Sequence, residues 1–329
     1  MGFNDIIGQQ KPLSVLQSAL ANGRLHHAYL FLGPEGVGKH LVAVALAKAL
    51  HCGELKNDFC AGCVNCRRID DGNHPDVRII EPLAGKKEIS IQQIRELERE
   101  LNYRSFTGKR KVAIVDPATL LNLSSQNALL KTLEEPPEDS LIVLIAVNEG
   151  GLLPTLRSRC LRLSFAPLAR KAIAGFLQSR HGMNGADAES IAALGMGSIG
   201  AALALDKAEL IEKRKIWTAM LGALKTRDYR GAMVAAEALA ANREEALNFL
   251  KWAESWYRDL LIYSVANDSD DLVNLDMQRQ IEQQSSQLGL EPALSALART
   301  AGAAALIQRN LNRRMVLEKF LFGVVKGQS

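Results

Sequence analysis

A glycine-rich segment has the spacing of a loop that binds phosphate. Residues 33–39 read Gly-Pro-Glu-Gly-Val-Gly-Lys and match the pattern G-x-x-x-x-G-K, with a short apolar run at 29–32 before them and a helical pattern at 41–50 after them. Glycines let backbone N–H groups curl around phosphate oxygens at a helix N-terminus, and a lysine at this position can reach the outer phosphates. The segment therefore predicts a nucleotide-binding loop. Its predicted binding residues are Gly33, Gly36, Gly38 and Lys39.

Two positions depart from a site that hydrolyses nucleotide. Lys39 is followed by His40, where such loops carry a Ser or Thr that ligates magnesium, and a neutral imidazole is a poor ligand for a hard cation. A second apolar run ends in Asp116, which could assist the metal, but Pro117 stands where a Glu would polarise the attacking water. We therefore predict a degenerate site that includes His40 and Asp116 and binds ATP or ADP weakly, with little or no hydrolysis.

Four of the five cysteines have the spacing of metal ligands. Cys60, Cys63 and Cys66 form two overlapping C-x-x-C steps, and Cys52 precedes them closely. This arrangement suits four thiolates around one zinc ion, whereas a bacterial iron–sulfur run would carry a trailing Cys-Pro. We predict a closed structural zinc site, with a redox thiol set and plain surface cysteines as the alternatives. His51 and His74 are reserve ligands.

The elements that must position these residues change character at about Pro167. Before it, continuous apolar runs at 112–115 and 141–146 are typical of strands buried on both faces of a parallel sheet, and they alternate with helical patterns. After it, Ala- and Leu-rich stretches with a spacing of about 3.6 residues predict an all-helical remainder. These stretches are residues 233–250, 290–304 and 307–325.

The composition excludes several classes of protein. A length of 329 residues allows two or three domains, and 47% hydrophobic with 23% charged residues is typical of a globular chain. The formal net charge of +4 is too small to coat nucleic acid, so any such contact should be local. There is no secretory leader pattern and no apolar run of the roughly 20 residues that span a bilayer. We expect a cytoplasmic protein without membrane association, whose cysteines stay reduced.

Together these motifs resemble the bacterial clamp-loader AAA+ subunits of DNA polymerase III. The resemblance covers roughly residues 5–205 and rests on the degenerate loop, the cysteine cluster directly after its helix and three further segments. Those segments are Asn-His-Pro-Asp at 73–76, Asn-Ala-Leu-Leu-Lys-Thr-Leu-Glu-Glu-Pro-Pro at 127–137 and Ser-Arg-Cys at 158–160.

Within this family the departures from the motor subunits (gamma/tau) resemble the delta-prime branch. Motor subunits would carry Lys-Ser or Lys-Thr in the loop, Asp-Glu on the second strand, and an Arg in the lid where this chain has Gly200. The resemblance thus implies a subunit without its own ATPase or polymerase activity. An active gamma/tau-like ATPase motor is one alternative, and a stand-alone zinc protein that binds DNA through Arg67 and Arg68 is another.

The resemblance also implies an architecture. It predicts an α/β AAA+ domain with a P-loop and a parallel sheet over residues 1–167, with the zinc module as an insertion at about 51–75. An all-α lid would follow over 168–208, and an all-α collar domain for oligomerisation over 209–329.

The family further assigns a role to Arg159. The resemblance implies that Arg159 is an arginine finger, which is inserted in trans into the ATP site of a neighbouring motor subunit. The residue alone could equally be a strand-edge arginine paired with a carboxylate. The implied partners are motor subunits and a delta-like subunit in a hetero-pentameric ring, together with the sliding clamp and primed DNA. The chain would be a component of the DNA polymerase III holoenzyme.

Other residues carry simpler predictions. Cys160 is expected to be a buried small hydrophobe, and Asn148 is either a phosphate sensor or a turn residue. The aromatic residues expected to pack inside the collar are Trp252, Trp256 and Tyr257. The arginines expected on a solvated face, or in contact with a partner, are Arg309, Arg313 and Arg314.

Overall fold

The chain divides into two compact units. The computed structural model describes residues 2–107, 109–204, 207–266, 272–309 and 311–326. The first unit, here called the α/β unit, comprises Met1–Gly182 and Gly197–Leu203, and the second, the helical unit, comprises Met183–Met196 and Ala204–Ser329. The domain bounds that the sequence predicts, including those of the lid, stay predictions.

Five parallel strands form the centre of the α/β unit. They are β1 (Ala28–Leu32), β2 (Val77–Ile80), β3 (Lys111–Val115), β4 (Ser140–Ala146) and β5 (Leu161–Ser164). Their order across the sheet is β2-β3-β4-β1-β5, and every neighbouring pair is parallel. All residues of β3 and β4 are buried, which explains why these strands carry continuous apolar runs and not an alternating pattern.

The helices surround the sheet in the first unit and make up the second. In chain order they are α1 (Gln10–Ala21), α2 (Lys39–His51), α3 (Val64–Asp70), α4 (Ile91–Asn102), α5 (Leu123–Glu134), α6 (Pro154–Arg157), α7 (Arg170–His181), α8 (Gly185–Leu194), α9 (Ile199–Ala204), α10 (Lys207–Ala223), α11 (Tyr229–Leu239), α12 (Arg243–Ala266), α13 (Gln278–Leu288), α14 (Leu290–Gln308) and α15 (Arg313–Lys326). Short 3-10 helices lie at Phe3–Asp5, Ala118–Leu120 and Leu275–Met277. Within the described ranges, none of these helices combines the length and apolarity needed to cross a bilayer.

Two apolar clusters cover the two faces of the sheet. Phe31 packs in the cluster that includes α1 and α2, whereas the preceding residue, Leu30, packs in the cluster that includes α4 and α5. Successive side chains of a strand point to opposite faces, so β1 contributes to both clusters. The sheet is therefore the buried middle layer of a three-layer α/β arrangement.

The strands that the sequence predicts and those that it misses differ in burial. The runs at 29–32, 112–115 and 141–146 correspond to β1, β3 and β4, each of which begins one residue earlier. β2 and β5 were not predicted. They are the two edge strands, and only one residue of each is fully buried, so neither carries a long apolar run.

The helical unit has one apolar core built around aromatic side chains. Trp256 is fully buried there, and Trp252 and Tyr257 belong to the same cluster, which confirms that these three predicted residues pack inside the helical unit. Trp217, which was not predicted, joins them. In the part of this unit that the structure describes there is no strand. The predicted fold class, a parallel α/β domain followed by an all-helical region, is therefore confirmed.

Two predicted helical stretches are wrong in their continuity. The pattern at 307–325 crosses from α14, which ends at Gln308, to α15, which begins at Arg313. The pattern at 233–250 runs through a break, because α11 ends at Leu239 and α12 begins at Arg243. Asn242 lies in the break, and its Oδ1 accepts a hydrogen bond from the backbone N–H of Glu245 at 3.0 Å. An asparagine in this role starts a new helix, and apolar periodicity alone does not reveal it.

Candidate functional site

The predicted nucleotide loop joins β1 to α2 at the carboxyl end of the sheet. Gly38 is the N-cap of α2, with a φ of 102°. No heavy atom lies within 4 Å of a Cβ built on it, so the left-handed backbone, and not crowding, requires glycine here. The loop thus presents the N-terminus of a 13-residue helix, the end that attracts anions.

Lys39 is folded into the loop. Its Nζ donates hydrogen bonds to the carbonyl oxygens of Gly33 at 2.6 Å and Pro34 at 2.5 Å, and the residue is 6% exposed. Burial lowers the pKa of Lys39, while the nearby carboxylates of Asp116 and Glu35 partly oppose that change. To reach a phosphate group, the ammonium would have to exchange these carbonyl contacts for phosphate oxygens.

His40 and Asp116, both predicted members of the degenerate nucleotide site, form a pair. Nδ1 of His40 lies 2.8 Å from Oδ2 of Asp116, and this hydrogen bond raises the pKa of His40. Magnesium prefers oxygen ligands. Because the imidazole engages the carboxylate and no hydroxyl follows Lys39, the donor set does not fit a magnesium ion held as in a hydrolytic site. Pro117, next to Asp116, offers no side-chain base.

A cavity of about 760 Å³ is lined by this pair. Its polar lining includes Glu35, Lys39, His40 and Asp116. Its apolar lining includes Ile7, Val44, Ile145, Leu168 and Phe176. A volume of this size is typical of small-molecule sites, which combine apolar walls with a few polar groups. The cavity could accommodate a base against its apolar side and phosphates at its polar corner.

The segment around Gly200 lies directly on the loop. The backbone N–H of Gly200 donates to the carbonyl oxygen of Gly36 at 3.0 Å. A Cβ built on Gly200 would lie 2.9 Å from Cα of Gly36, and one built on Gly36 would collide with Oγ of Ser198. The position where a motor subunit would carry a sensing arginine is thus a contact between two backbones, with no side chain.

Arg159 lies apart from this cavity, just after α6. Its Nη1 donates to the carbonyl oxygen of Thr155 at 2.7 Å, and its Nη2 lies 2.5 Å from Oε1 of Glu134. The side chain is 33% exposed, and Arg159 is not among the residues that line the cavity. The carboxylate pairing that the residue type alone suggested is present, and part of the side chain is exposed. The finger role stays a prediction.

The four predicted zinc ligands converge on one point. The sulfur atoms of the cysteines at 52, 60, 63 and 66 all lie within 4.8 Å of one another. Backbone N–H groups donate to sulfur, from Leu55 to Cys52 at 3.4 Å and from Cys63 to Cys60 at 3.2 Å. Burial raises the pKa of Cys63, but hydrogen bonds from backbone N–H groups and from the side chains of Cys66 and Cys60 together outweigh it and lower the pKa to about 6. Such a donor set fits a tetrahedral zinc, which four thiolates would enclose without an open position.

The segment that carries these cysteines is tied into the α/β unit. Oδ1 of Asp58 accepts a hydrogen bond from the backbone N–H of Phe3 at 3.0 Å. The rings of Phe3 and Phe59 meet edge to face at 5.5 Å, and Lys48 of α2 pairs with Asp70 of α3 at 2.5 Å. The cysteine cluster is therefore continuous with the packing of α2.

The two reserve histidines form a separate group with Asp76. Ligand atoms of His51, His74 and Asp76 lie together, apart from the cysteine set. Oγ1 of Thr107 lies 3.2 Å from Nδ1 of His51 and donates to Oδ2 of Asp76 at 2.7 Å. Burial lowers the pKa of His51 to about 4, so this imidazole is neutral at physiological pH.

Comparison with known proteins identifies the family. Two family models match, DNA polymerase III, delta subunit, over residues 8–169, and DNA polymerase III, delta subunit, C terminal, over residues 209–325. The DNA polymerase III subunit delta′ (delta-prime) of Pseudomonas aeruginosa is 30% identical over 302 residues, which cover 90% of each chain. The chain belongs to the DNA polymerase III delta-prime family.

Two further relatives match over shorter stretches. The delta-prime subunit of Bacillus subtilis is 40% identical over 167 residues, or 50% of this chain and 50% of that protein. The DNA polymerase III subunit tau of Escherichia coli is 39% identical over 167 residues, or 50% of this chain and 26% of that protein. The chain therefore spans half or less of the length of these two relatives.

Membership of the delta-prime family confirms the resemblance drawn from the motifs. It does not test the roles of single residues, so the nucleotide, metal and finger assignments are taken up below as proposals. Among the secondary predictions, Oδ1 of Asn148 accepts a hydrogen bond from the backbone N–H of Gly150 at 2.9 Å, a local contact that supports the turn role, and phosphate sensing stays a prediction. Cys160 is buried, which raises its pKa to about 12. Arg314 is exposed and pairs with Glu237 and Glu318.

Two buried glutamines of this delta-prime family member were missed from the sequence. Nε2 of Gln9 donates to the carbonyl oxygens of Val37 and Ala166 at 3.1 and 2.7 Å, so it links the nucleotide loop to the segment after β5. Gln126 bonds through Nε2 to the carbonyl oxygen of Gly151 at 3.0 Å and through Oε1 to the N–H of Leu153 at 2.8 Å. Nothing in the local pattern distinguishes either residue from a surface glutamine.

Proposed function

We propose that this chain is the delta-prime subunit of a DNA polymerase III clamp loader and acts there as a stator. It hydrolyses no ATP itself and supplies Arg159, in trans, to the ATP site of a neighbouring gamma/tau motor subunit. The complete assembly opens a sliding clamp and loads it on primed DNA during DNA replication in the cytoplasm.

The observation that carries this proposal is the separation of Arg159 from the chain's own cavity. Arg159 does not line that cavity, and a third of its side chain is exposed. A guanidinium held at a surface can stabilise the negative charge that develops on a transferred γ-phosphoryl group. An arginine placed in this way serves a neighbour's nucleotide and not its own.

The chain's own site supports the stator half of the proposal. His40 pairs with Asp116, Pro117 replaces a general base, and Gly200 replaces a sensing arginine. The glycine-rich loop at the N-terminus of α2 and the cavity beside it are nevertheless present. We therefore expect ATP or ADP to bind weakly through the loop, without turnover.

The partners follow from the same proposal. The helical unit would act as the collar that holds a hetero-pentameric ring of motor subunits, a delta-like subunit and this chain. The 39% identity with the tau subunit of Escherichia coli supports a shared architecture between this chain and the motor subunits. The four cysteines would hold a structural zinc and take no part in catalysis.

Arg159→Ala in the assembled complex tests the finger. We expect the ring to assemble normally and ATP turnover to fall steeply at the neighbouring site, because an arginine finger contributes on the order of a thousandfold to phosphoryl transfer. The measurement is single-turnover ATP hydrolysis by the complex. Arg162→Ala is the matched control, since Arg162 is an exposed arginine on β5 that pairs with Glu149. An unchanged rate in Arg159→Ala would remove the finger assignment.

The isolated chain discriminates the stator from the alternative of an active motor. We expect no ATP hydrolysis above background from the purified chain. Turnover by the chain alone that Lys39→Ala abolishes would favour the motor and contradict the stator.

A further inference from the structure

We propose that Glu134 is a positioning residue for Arg159. Its carboxylate holds the guanidinium in the orientation in which the arginine enters the neighbouring ATP site. The inference rests on the proposed trans role of Arg159 and deepens it. Glu134 lies within the segment 127–137 that carries part of the resemblance, but the sequence analysis assigned it no role.

The guanidinium is held at both of its terminal nitrogens. Nη2 lies 2.5 Å from Oε1 of Glu134, and Nη1 donates to the carbonyl oxygen of Thr155 at 2.7 Å. These two acceptors come from different elements, the last residue of α5 and the second residue of α6. Within the part of the chain that the structure describes, Arg159 has no further polar side-chain partner. The remaining N–H donors of the fork are therefore available to an incoming phosphate.

The pairing is specific to this arginine. The two neighbouring arginines, Arg157 and Arg162, share a different carboxylate, that of Glu149, at 2.5 and 3.0 Å. Of these three arginines, which lie within six residues of sequence, only Arg159 pairs with Glu134.

The position of Glu134 is itself fixed. It is the last residue of α5, and Pro136 and Pro137 follow within three residues. Proline disfavours helical geometry in the residue before it and cannot donate a helical hydrogen bond, so the helix ends here. A carboxylate at a fixed helix end can orient a long, flexible side chain.

An exposed ion pair of this kind contributes little to folding stability, because solvent screens it. The side chain of Glu134 is 50% exposed. Removing the carboxylate should therefore leave the fold intact and change chiefly the orientation of Arg159. Misplacement of a group that acts on the reacting atoms is costly in rate.

The test compares variants in the complete clamp-loader complex by single-turnover ATP hydrolysis. We expect Glu134→Ala to lower the hydrolysis rate at the neighbouring site about tenfold with unchanged KM for ATP, since orientation and not binding is lost. Glu134→Gln should retain most of the rate, because its amide oxygen still accepts from Nη2. Glu135→Ala, which removes the adjacent exposed carboxylate, should match the parent. In an Arg159→Ala background, Glu134→Ala should have no additional effect.

The outcomes separate this inference from the proposed function. A depressed rate in Arg159→Ala with a normal or increased rate in Glu134→Ala overturns the positioning role and leaves the finger standing. Additive losses in the double variant also overturn it, since Glu134 would then act independently of Arg159. An unchanged rate in Arg159→Ala removes the finger itself.

Discussion

At the residue scale, His40 determines how the nucleotide loop differs from a hydrolytic one. The imidazole takes the place of a hydroxyl, and its Nδ1 lies 2.8 Å from Oδ2 of Asp116. A protonated imidazole beside this carboxylate places positive charge near the position where a hydrolytic site would hold its cation. The substitution therefore changes the ligand chemistry of the loop without leaving Asp116 unpaired.

The pair predicts a measurable shift in the titration of His40. Its hydrogen bond to Asp116 raises the pKa of His40 above the ordinary value of 6.5. The protonated form is thus favoured in the folded chain, so the pair contributes its full stability below pH 6.5 and loses it as the pH rises through the raised pKa. We expect Asp116→Asn to lower the pKa of His40, measured by NMR of the imidazole ring. Glu81→Gln, which removes a weaker and more distant influence, should lower it less. An equal pKa in Asp116→Asn and the parent would contradict the pairing.

At the scale of elements, one buried amide ties α5 to the segment that leads into α6. Gln126 is 5% exposed, and its side chain satisfies the carbonyl oxygens of Leu121 and Gly151 and the N–H of Leu153. The orientation of α6, and with it the position of Arg159, depends on these contacts. Gln126 therefore acts on Arg159 indirectly, through the segment before α6, while Glu134 contacts the arginine directly.

Gln126→Leu should destabilise the α/β unit. The apolar side chain would remove three hydrogen bonds, of which the one to the carbonyl oxygen of Leu121 is buried and the other two are part-buried, at a cost of about 3 kcal/mol in the free energy of unfolding. Gln92→Leu, at an exposed position of α4, should change this free energy by less than about 0.5 kcal/mol. Denaturant unfolding monitored by hydrogen exchange in β4 and α5 measures both. Equal stability in the two variants would show that water replaces the lost contacts.

The same elements show what the sequence could and could not predict. β3 and β4 were predicted because burial on both faces makes their sequences apolar throughout, whereas the edge strands β2 and β5 lack that pattern. The cysteine cluster was predicted because its ligands are close in sequence. The Gln126–Leu153 contact joins residues 27 positions apart, and the Glu134–Arg159 contact likewise joins two distant segments. Contacts of this kind leave no local pattern, so only the folded chain reveals them.

At the scale of the whole molecule, the four clustered cysteines and the tryptophans belong to different units. The four cysteines lie in the α/β unit, where Cys52, Phe59 and Cys66 are buried in the same cluster as Leu46 of α2. All three tryptophans of the chain belong to the helical unit. Tryptophan fluorescence therefore reports the unfolding of the helical unit. A change confined to the α/β unit can then be told apart from unfolding of the whole chain.

Removal of the metal should destabilise the α/β unit and leave the helical unit unchanged. Binding of zinc by four thiolates contributes directly to folding, and its loss would remove the link that joins four sulfurs packed beside α2. We expect one zinc per chain by elemental analysis, and the same in Cys160→Ser, since this cysteine lies outside the ligand group. Chelation or Cys63→Ser should increase hydrogen exchange in α2 and β1, while the denaturation midpoint followed by tryptophan fluorescence stays constant. An equal shift of both signals would mean that the two units unfold as one, and unaltered exchange on metal loss would mean that the cysteines bind zinc without supporting the fold.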